Sequence, residues 1–165
     1  MNNTDGGWDD KSANPVLIDC VSLRNKRNYR FWSKPGPARL QNCVSAYAVD
    51  YRSGTPGIGL WQASGSYAQI ENSTFYANGC AVRVEADGRL SRCELINCIL
   101  AGDKDAKHLA VESGGEVAKT DTIEGTIGDA ETDPQLIAPT PQWNGNGSKN
   151  VFNSRRFPNV GASFQ

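Results

Sequence analysis

Two tryptophans are the residues of this chain whose type and spacing are best suited to binding a ligand. Trp32 follows Phe31, and Trp61 follows Leu60. Both leading residues are apolar and are expected to point into a core, so the two indoles are expected on the outer face of a sheet. Such indoles suit sugar rings, whose C–H faces stack on aromatic faces. The alternative is that a loop or the C-terminal segment covers both indoles, because large exposed apolar patches are usually covered.

Charged residues are expected to lie beside these indoles. If equivalent strands stack in parallel about 4.8 Å apart, their outward side chains form rows. One predicted row consists of Asp9, Trp32, Trp61 and Glu85. The neighbouring row consists of Gly7, Arg30, Gly59 and Arg83, which leaves open space on both sides of Arg30. Arg83 and Glu85 therefore join the two indoles as candidate substrate-binding residues.

A short pattern repeats along the chain and would position these residues. It consists of an apolar residue, then a polar residue two positions later, then a small residue. The five apolar positions are Leu17, Leu40, Ile70, Leu90 and Val117. The five small positions are Cys20, Cys43, Ser73, Cys93 and Thr120. Successive copies lie 23, 30, 20 and 27 residues apart, and an average of about 25 residues is the size of one solenoid coil.

A second apolar run precedes each copy, separated from it by a turn rich in glycine, serine or proline. Its apolar positions align through Trp8, Phe31, Leu60, Val84 and Val111. We therefore predict an all-β fold, a right-handed parallel β-helix of about five coils over residues 1–125. Residues 1–15 are interpreted as the remnant of an earlier coil, and residues 126–165 as a C-terminal segment that packs back on the solenoid. An antiparallel β-sandwich is the rival, but it would show hairpin turns instead of small residues repeating at a coil period.

The composition argues against several classes of partner. The chain has 165 residues and a net charge of −1, so a basic surface for nucleic acid is not expected. No apolar run approaches the roughly 18–20 residues of a membrane span. No signal peptide is visible, so localisation stays open, and secretion is expected if the chain belongs to a longer precursor. The first coil lacks an evident polar cap, which makes a homo-oligomer through that coil possible.

The five cysteines are interpreted mainly as small buried thiols at equivalent coil positions. Disulfides between neighbouring coils are the alternative. A metal site is less favoured, because no CxxC pair occurs and the chain has a single histidine. His108 begins a predicted strand and is expected at the surface or at an edge.

Two segments resemble the pectate-lyase superfamily of parallel β-helix proteins. The segments are NTDGGWDD and NYRFWSKPGPARLQNCVSAYA. They are most similar to pectate lyases of polysaccharide lyase family nine, which combine an Asp-rich calcium segment with an Asn-Cys strand on the following coil. Asn42 and Cys43 match that strand, and the DPQL and PNVGAS stretches resemble the ends of such proteins.

The resemblance implies calcium-assisted β-elimination on a uronate-containing polymer, an acidic polysaccharide. Asp5 and Asp9, with Asp10, would match the calcium ligands. Arg30 stands where the family has a catalytic lysine, and it or Lys34 would remove the C5 proton. Other β-helix lyases use an arginine as the base. The two indoles would carry the neighbouring sugars.

Two functions of different class remain open from the sequence. The first is a carbohydrate-active, lyase-like enzyme. The second is a non-catalytic β-helix module that binds glycans or assembles with other chains, which needs neither calcium nor a base. Carboxylates converging beside Arg30 would favour the enzyme, whereas an outer face covered by another subunit would favour the module.

Overall fold

The described residues wind into five coils of three strands each. The computed structural model describes residues 1–32, 34, 36–51, 54–137 and 149–164, without the side chain of residue 150. The strands of sheet A are β1 (Gly6–Asp10), β4 (Arg27–Phe31), β7 (Ile58–Gln62), β10 (Cys80–Val84) and β13 (Lys107–Val111). The strands of sheet B are β2 (Val16–Ile18), β5 (Ala38–Gln41), β8 (Tyr67–Glu71), β11 (Ser91–Ile96) and β14 (Gly115–Thr120). The strands of sheet C are β3 (Val21–Leu23), β6 (Val44–Ala46), β9 (Thr74–Tyr76), β12 (Ile99–Gly102) and β15 (Ile123–Thr126).

The predicted parallel β-solenoid of about five coils is confirmed. Within each sheet, every strand pairs in parallel with its equivalent in the next coil. The antiparallel sandwich is thereby excluded. A short 3₁₀ helix (Lys149–Phe152) follows the coils, and no helix among the described residues is long and apolar enough to cross a membrane.

The corner between sheets B and C is the same in all five coils. It always contains two residues, and the first of them has a left-handed backbone with φ between 47° and 54°. Asparagine and aspartate tolerate this conformation better than other non-glycine residues. The corner residues are Asp19, Asn42, Asn72, Asn97 and Asp121. Their side chains also bond between coils: Asn42 Nδ2 donates to Asp19 Oδ1, and Asn97 Nδ2 donates to Asn72 Oδ1, both at 2.6 Å.

This corner corrects the predicted repeat in the last two coils. Ile70 pairs with Leu95, not with Leu90, and Leu95 pairs with Lys119, not with Val117. Leu90 lies in the turn before β11 and is 67% exposed. The prediction failed because Leu90 was taken as a strand residue. It belongs to the turn of residues 85–90, and β11 begins only at Ser91.

The predicted small residues of the repeat must be corrected in the same two coils. Ser73 O accepts the amide hydrogen of Ile99, and Thr122 Oγ1 accepts the amide hydrogen of Cys98. Cys98 and Thr122 therefore follow Ser73 in the column, in place of the predicted Cys93 and Thr120. The residue before each of them is the left-handed corner residue. The predicted polar positions, two residues after Leu90 and Val117, are Arg92 and Lys119, and both lie within strands.

The predicted alignment of sheet A is wrong by two residues in three coils. Trp8 and Leu60 do share a column, but Tyr29 takes the place predicted for Phe31. In the same way Val82 and Leu109 pair at the level of Leu60, where Val84 and Val111 were predicted. Because side chains alternate with a period of two, the inward faces were still assigned correctly.

The interior is filled by apolar side chains from all three sheets. The largest of them are Tyr29, Phe31, Leu40, Leu60, Ile70, Phe75, Leu95 and Leu100, each exposed by 1% or less. Tyr29 also satisfies its hydroxyl, which donates to the backbone oxygens of Cys20 or Val44 at 3.0 Å. Burial raises the pKa of this phenol well above its ordinary value.

The segment after β15 packs on the outer face of sheet C. Leu136, Phe152 and Phe164 belong to a second apolar cluster that also contains Val44 and Ile99 of sheet C. Backbone amides of the segment bond to the coils: Ala162 N donates to Thr74 Oγ1 at 2.9 Å, and Ser163 N donates to Asn42 Oδ1 at 2.7 Å. The outer face of sheet A is not covered by these residues. The rest of the predicted C-terminal segment, residues 138–148 and 165, lies outside the described residues.

The two ends of the solenoid differ in chemistry. In the last coil Lys119 continues the inward column of Leu95, and its Nζ lies 2.5 Å from Glu124 Oε1. His108 Nδ1 lies 3.3 Å from the other oxygen of Glu124. The hydrogen bond from Lys119 lowers the pKa of Glu124, with a smaller contribution from His108. In the first coil Trp8 is 42% exposed and Ile18 is 53% exposed; association of copies through that coil stays a prediction.

We expect Leu95→Ala to destabilise the protein strongly and Leu90→Ala to have little effect. Leu95 is fully buried in the column, and truncating such a leucine costs about 2–5 kcal/mol. The exposed Leu90 serves as the matched control, with a change within about 0.5 kcal/mol. Urea denaturation followed by circular dichroism measures both values. Equal losses of stability for the two variants would contradict the register.

The cysteines provide a second test of the fold. All five are free thiols in the structure. Burial raises the pKa of Cys43 and of Cys98 to about 12, and that of Cys80 to about 11. Burial also raises the pKa of Cys93, whereas Cys20 is only half-buried.

At pH 8 the native protein should therefore react rapidly with Ellman's reagent at Cys20 alone, because the thiolate is the reactive form. All five thiols should react after denaturation. A Cys20→Ser variant is the control and should lose the rapid phase. Rapid reaction of several thiols in the native protein would contradict the buried column.

Candidate functional site

One row on the outer face of sheet A consists of three charged residues, one tryptophan and one alanine. The observed row is Asp9, Arg30, Trp61, Arg83 and Ala110. The two rows predicted from the sequence are therefore corrected: Arg30 lies between Asp9 and Trp61, not between two glycines. Trp32 and Glu85 lie two residues beyond Arg30 and Arg83, just after the ends of β4 and β10. The causes are the two-residue shifts at Phe31 and at Val84.

Arg30 is the centre of this row. Its Nη1 lies 3.0 Å from Asp5 Oδ2 and 3.1 Å from Asp9 Oδ2. Its guanidinium carbon lies 4.6 Å from the ring centroid of Trp32 and 4.9 Å from that of Trp61. The arginine thus combines two ion pairs with two cation–π contacts, and its side chain is only 17% exposed.

The two indoles contact each other directly. Their ring centroids are 4.8 Å apart and the rings meet edge to face at 66°. Trp32 Nε1 donates to Asp9 Oδ1 at 2.8 Å, and Trp61 Nε1 donates to Glu85 Oε1 at 2.7 Å. Trp61 is only 6% exposed, because Arg27, Arg30 and Trp32 lie against it. The half-buried Trp32 therefore offers the more accessible ring.

Two further carboxylates are held beside the indoles by Arg83. Its Nε lies 3.3 Å from Glu85 Oε1, and its Nη2 lies 3.2 Å from Glu112 Oε1. Glu112 Oε2 also accepts the amide hydrogen of Ala86 at 3.2 Å. These contacts orient both carboxylates without burying them, since Glu85 is 27% and Glu112 is 40% exposed.

An open groove of about 390 Å³ runs across four coils at this point, and we call it the Trp32 groove. Its size is within the range of ordinary ligand sites. It is lined chiefly by Trp32, Lys34, Trp61, Glu85, Asp87 and Glu112. The groove therefore combines an aromatic wall with three carboxylates and one lysine.

The residues predicted to bind calcium lie in this region but are already engaged. Asp5 and Asp9 share the Arg30 guanidinium. Asp10 Oδ1 accepts hydrogens from the backbone amide of Ser12 at 2.7 Å and from its hydroxyl at 2.5 Å. Calcium takes about six to eight oxygen ligands, and no group of three or more His, Cys, Asp or Glu among the described residues could hold a metal ion. The residues do not fit a calcium site, and we derive no step through calcium.

The two predicted bases differ in position. Arg30 lies beneath the groove and forms ion pairs with two carboxylates, and an arginine is effectively always protonated. Lys34 lines the groove itself and is exposed. Of the two, only Lys34 faces a space that a ligand could fill.

Sequence reasoning missed Asp87 and Glu112 as residues of the groove. The signal was present, because VEADG and VESGG repeat the same pattern in consecutive coils. Glu85 and Glu112 each follow the last residue of a sheet A strand, and Val84 pairs with Val111. An aligned pair of carboxylates at the ends of two stacked strands could therefore have been predicted.

The fold and the site place the chain among parallel β-solenoid proteins. Searches against protein-family models, curated proteins and solved structures found no match to this chain.

Replacing Arg30 should uncover Trp61 and weaken the fold. We expect Arg30→Gln to lower the free energy of unfolding by about 1–2 kcal/mol, because partly buried cation–π contacts and ion pairs are each worth up to about 1 kcal/mol. Acrylamide quenching of tryptophan fluorescence should increase at the same time. Arg89→Gln, in an exposed turn, is the control and should change neither quantity. Unchanged quenching in Arg30→Gln would contradict the covering role of Arg30.

Proposed function

We propose that this protein is a non-catalytic, glycan-binding β-solenoid whose binding site is the Trp32 groove. The observation that carries this proposal is the pairing of an accessible indole with fixed carboxylates along one open groove. Aromatic rings stack on sugar rings, and carboxylates accept strong hydrogen bonds from sugar hydroxyls. The groove crosses several coils, so it suits an oligosaccharide better than a single sugar.

The charge of the groove favours a neutral glycan. Glu85, Asp87 and Glu112 line it, and Lys34 is the basic side chain beside them. A uronate polymer would bring further carboxylates towards these three, and like charges repel. The acidic polysaccharide expected from the sequence is therefore the less favoured ligand.

A polysaccharide lyase is the second candidate, and the position of Lys34 in the groove is the observation that favours it. In this reaction Lys34 would accept the C5 proton of a uronate. A lysine must lose its own proton first, and an exposed lysine is mostly charged at neutral pH. Asp5 and Asp9 do converge beside Arg30, which the sequence would take as favouring the enzyme, but both form ion pairs with it, and Arg30 does not line the groove.

The Trp32→Ala variant tests the proposal. We expect the native protein to be retarded in gels containing a neutral polysaccharide, and Trp32→Ala to lower the affinity by about tenfold or more. Removing one stacking residue from a ligand site typically costs about 1–3 kcal/mol. Affinity electrophoresis with a panel of neutral and uronate polysaccharides measures this.

Trp8→Ala is the matched control, because Trp8 is exposed on the first coil and does not line the groove. It should bind as the native protein does. Binding to no neutral glycan in the panel would overturn the proposal. An increase in absorbance near 235 nm with a uronate polymer, abolished in Lys34→Ala, would establish the lyase instead.

A further inference from the structure

A second, smaller pocket lies on the same face of sheet A and, among the described residues, shares no lining residue with the Trp32 groove. Its volume is about 150 Å³. It lies among three consecutive coils, with a mainly apolar lining of Pro56, Ile58, Cys80 and Ala110. The polar residues of its lining are Thr55, Arg83, Asp105 and Lys107. We call it the side pocket.

The side pocket is linked to the Trp32 groove through a third depression that shares lining residues with both. Arg83, Lys107 and Ala110 line both the side pocket and a shallow depression over β13. Glu112 lines both that depression and the Trp32 groove. A ligand seated on Trp32 could therefore extend across Arg83 and reach the side pocket without leaving the surface of sheet A.

The size and the lining of the side pocket restrict what can enter it. Ligand sites for whole small molecules usually exceed about 300 Å³, so the side pocket suits a substituent and not a sugar ring. Ile58 is 6% and Cys80 is 4% exposed, which gives an apolar floor for a methyl group. The exposed Lys107 can donate a hydrogen bond to a carbonyl oxygen at the margin. Burial raises the pKa of the Cys80 thiol to about 11, so this cysteine contributes surface and not nucleophilic chemistry.

We infer that the side pocket holds an acetamido group, and that the preferred ligand is an N-acetylated oligosaccharide. The methyl of the acetamido group would lie against Ile58 and Cys80, and its carbonyl would face Lys107. This inference rests on the proposed function, because the sugar that carries the group is held through the Trp32 groove. It adds the class of sugar, which the groove alone does not define.

Matched pairs of oligosaccharides test this inference. Oligomers of glucose and of N-acetylglucosamine, and oligomers of galactose and of N-acetylgalactosamine, differ within each pair only by the acetamido group. We expect the native protein to bind the N-acetylated member of a pair about tenfold tighter in isothermal titration calorimetry, since a well-placed methyl in an apolar pocket gives discrimination of this order. Ala110→Leu, which fills the pocket, should bind the two members of each pair with equal affinity.

Ala118→Leu is the matched control, because Ala118 is exposed on sheet B of the same coil. It should keep the preference. Binding of both members of each pair with equal affinity, or a preference that survives in Ala110→Leu, would overturn the inference while leaving the proposed function intact. If no oligosaccharide binds, the proposed function fails together with it.

Discussion

The left-handed two-residue corner between sheets B and C is the constraint on which the rest of the structure depends. Its length is the same in all five coils, whereas the other two corners contain between three and eleven residues. Asparagine or aspartate occupies the left-handed position each time. Because this corner has the same length in every coil, sheets B and C keep one common register. The inward columns of these two sheets then follow from that register.

The register also creates the site. Stacking places Asp9, Arg30, Trp61 and Arg83 at neighbouring levels of one face, although they come from four different coils. Arg30 and Arg83 then each lie beside two carboxylates, and Arg30 also lies beside two indole rings. The aromatic wall is rigid for the same reason, since Trp32 and Trp61 are each held by a hydrogen bond to a carboxylate. A rigid wall loses little conformational entropy when a ligand stacks on it.

Much of the fold followed from the sequence, but the details of the site did not. Leu17, Leu40 and Ile70 were aligned correctly, because the turns between them did not disturb the corner. The alignment failed at Leu90, because this apolar turn residue was mistaken for the inward strand residue of the repeat. The LINC stretch at residues 95–98 was the better signal, since it matches LQNC at residues 40–43. An alignment made on the corner, and not on the apolar position, would have found it.

Side-chain pairing set a different limit on prediction. The proximity of Trp32 and Trp61 was expected, although the two residues were predicted to share one row and they do not. The capture of Arg30 by Asp5 and Asp9 was not expected, because residue types alone do not reveal which of several nearby charges will pair. The same carboxylates could equally well suggest metal ligands, a cation partner or a solvated turn. Only the distances distinguish these roles.

The charged group at the last coil bears on whether another strand could add to the solenoid. Among the described residues, β13, β14 and β15 are the last strands of their sheets, and the backbone groups at such an edge can pair with another strand, as in amyloid growth. Lys119 and Glu124 stand at inward positions of that coil. A further strand added there would have to bury both of them, together with His108, away from water. The cost of burying these residues therefore opposes the addition of a further strand at this edge.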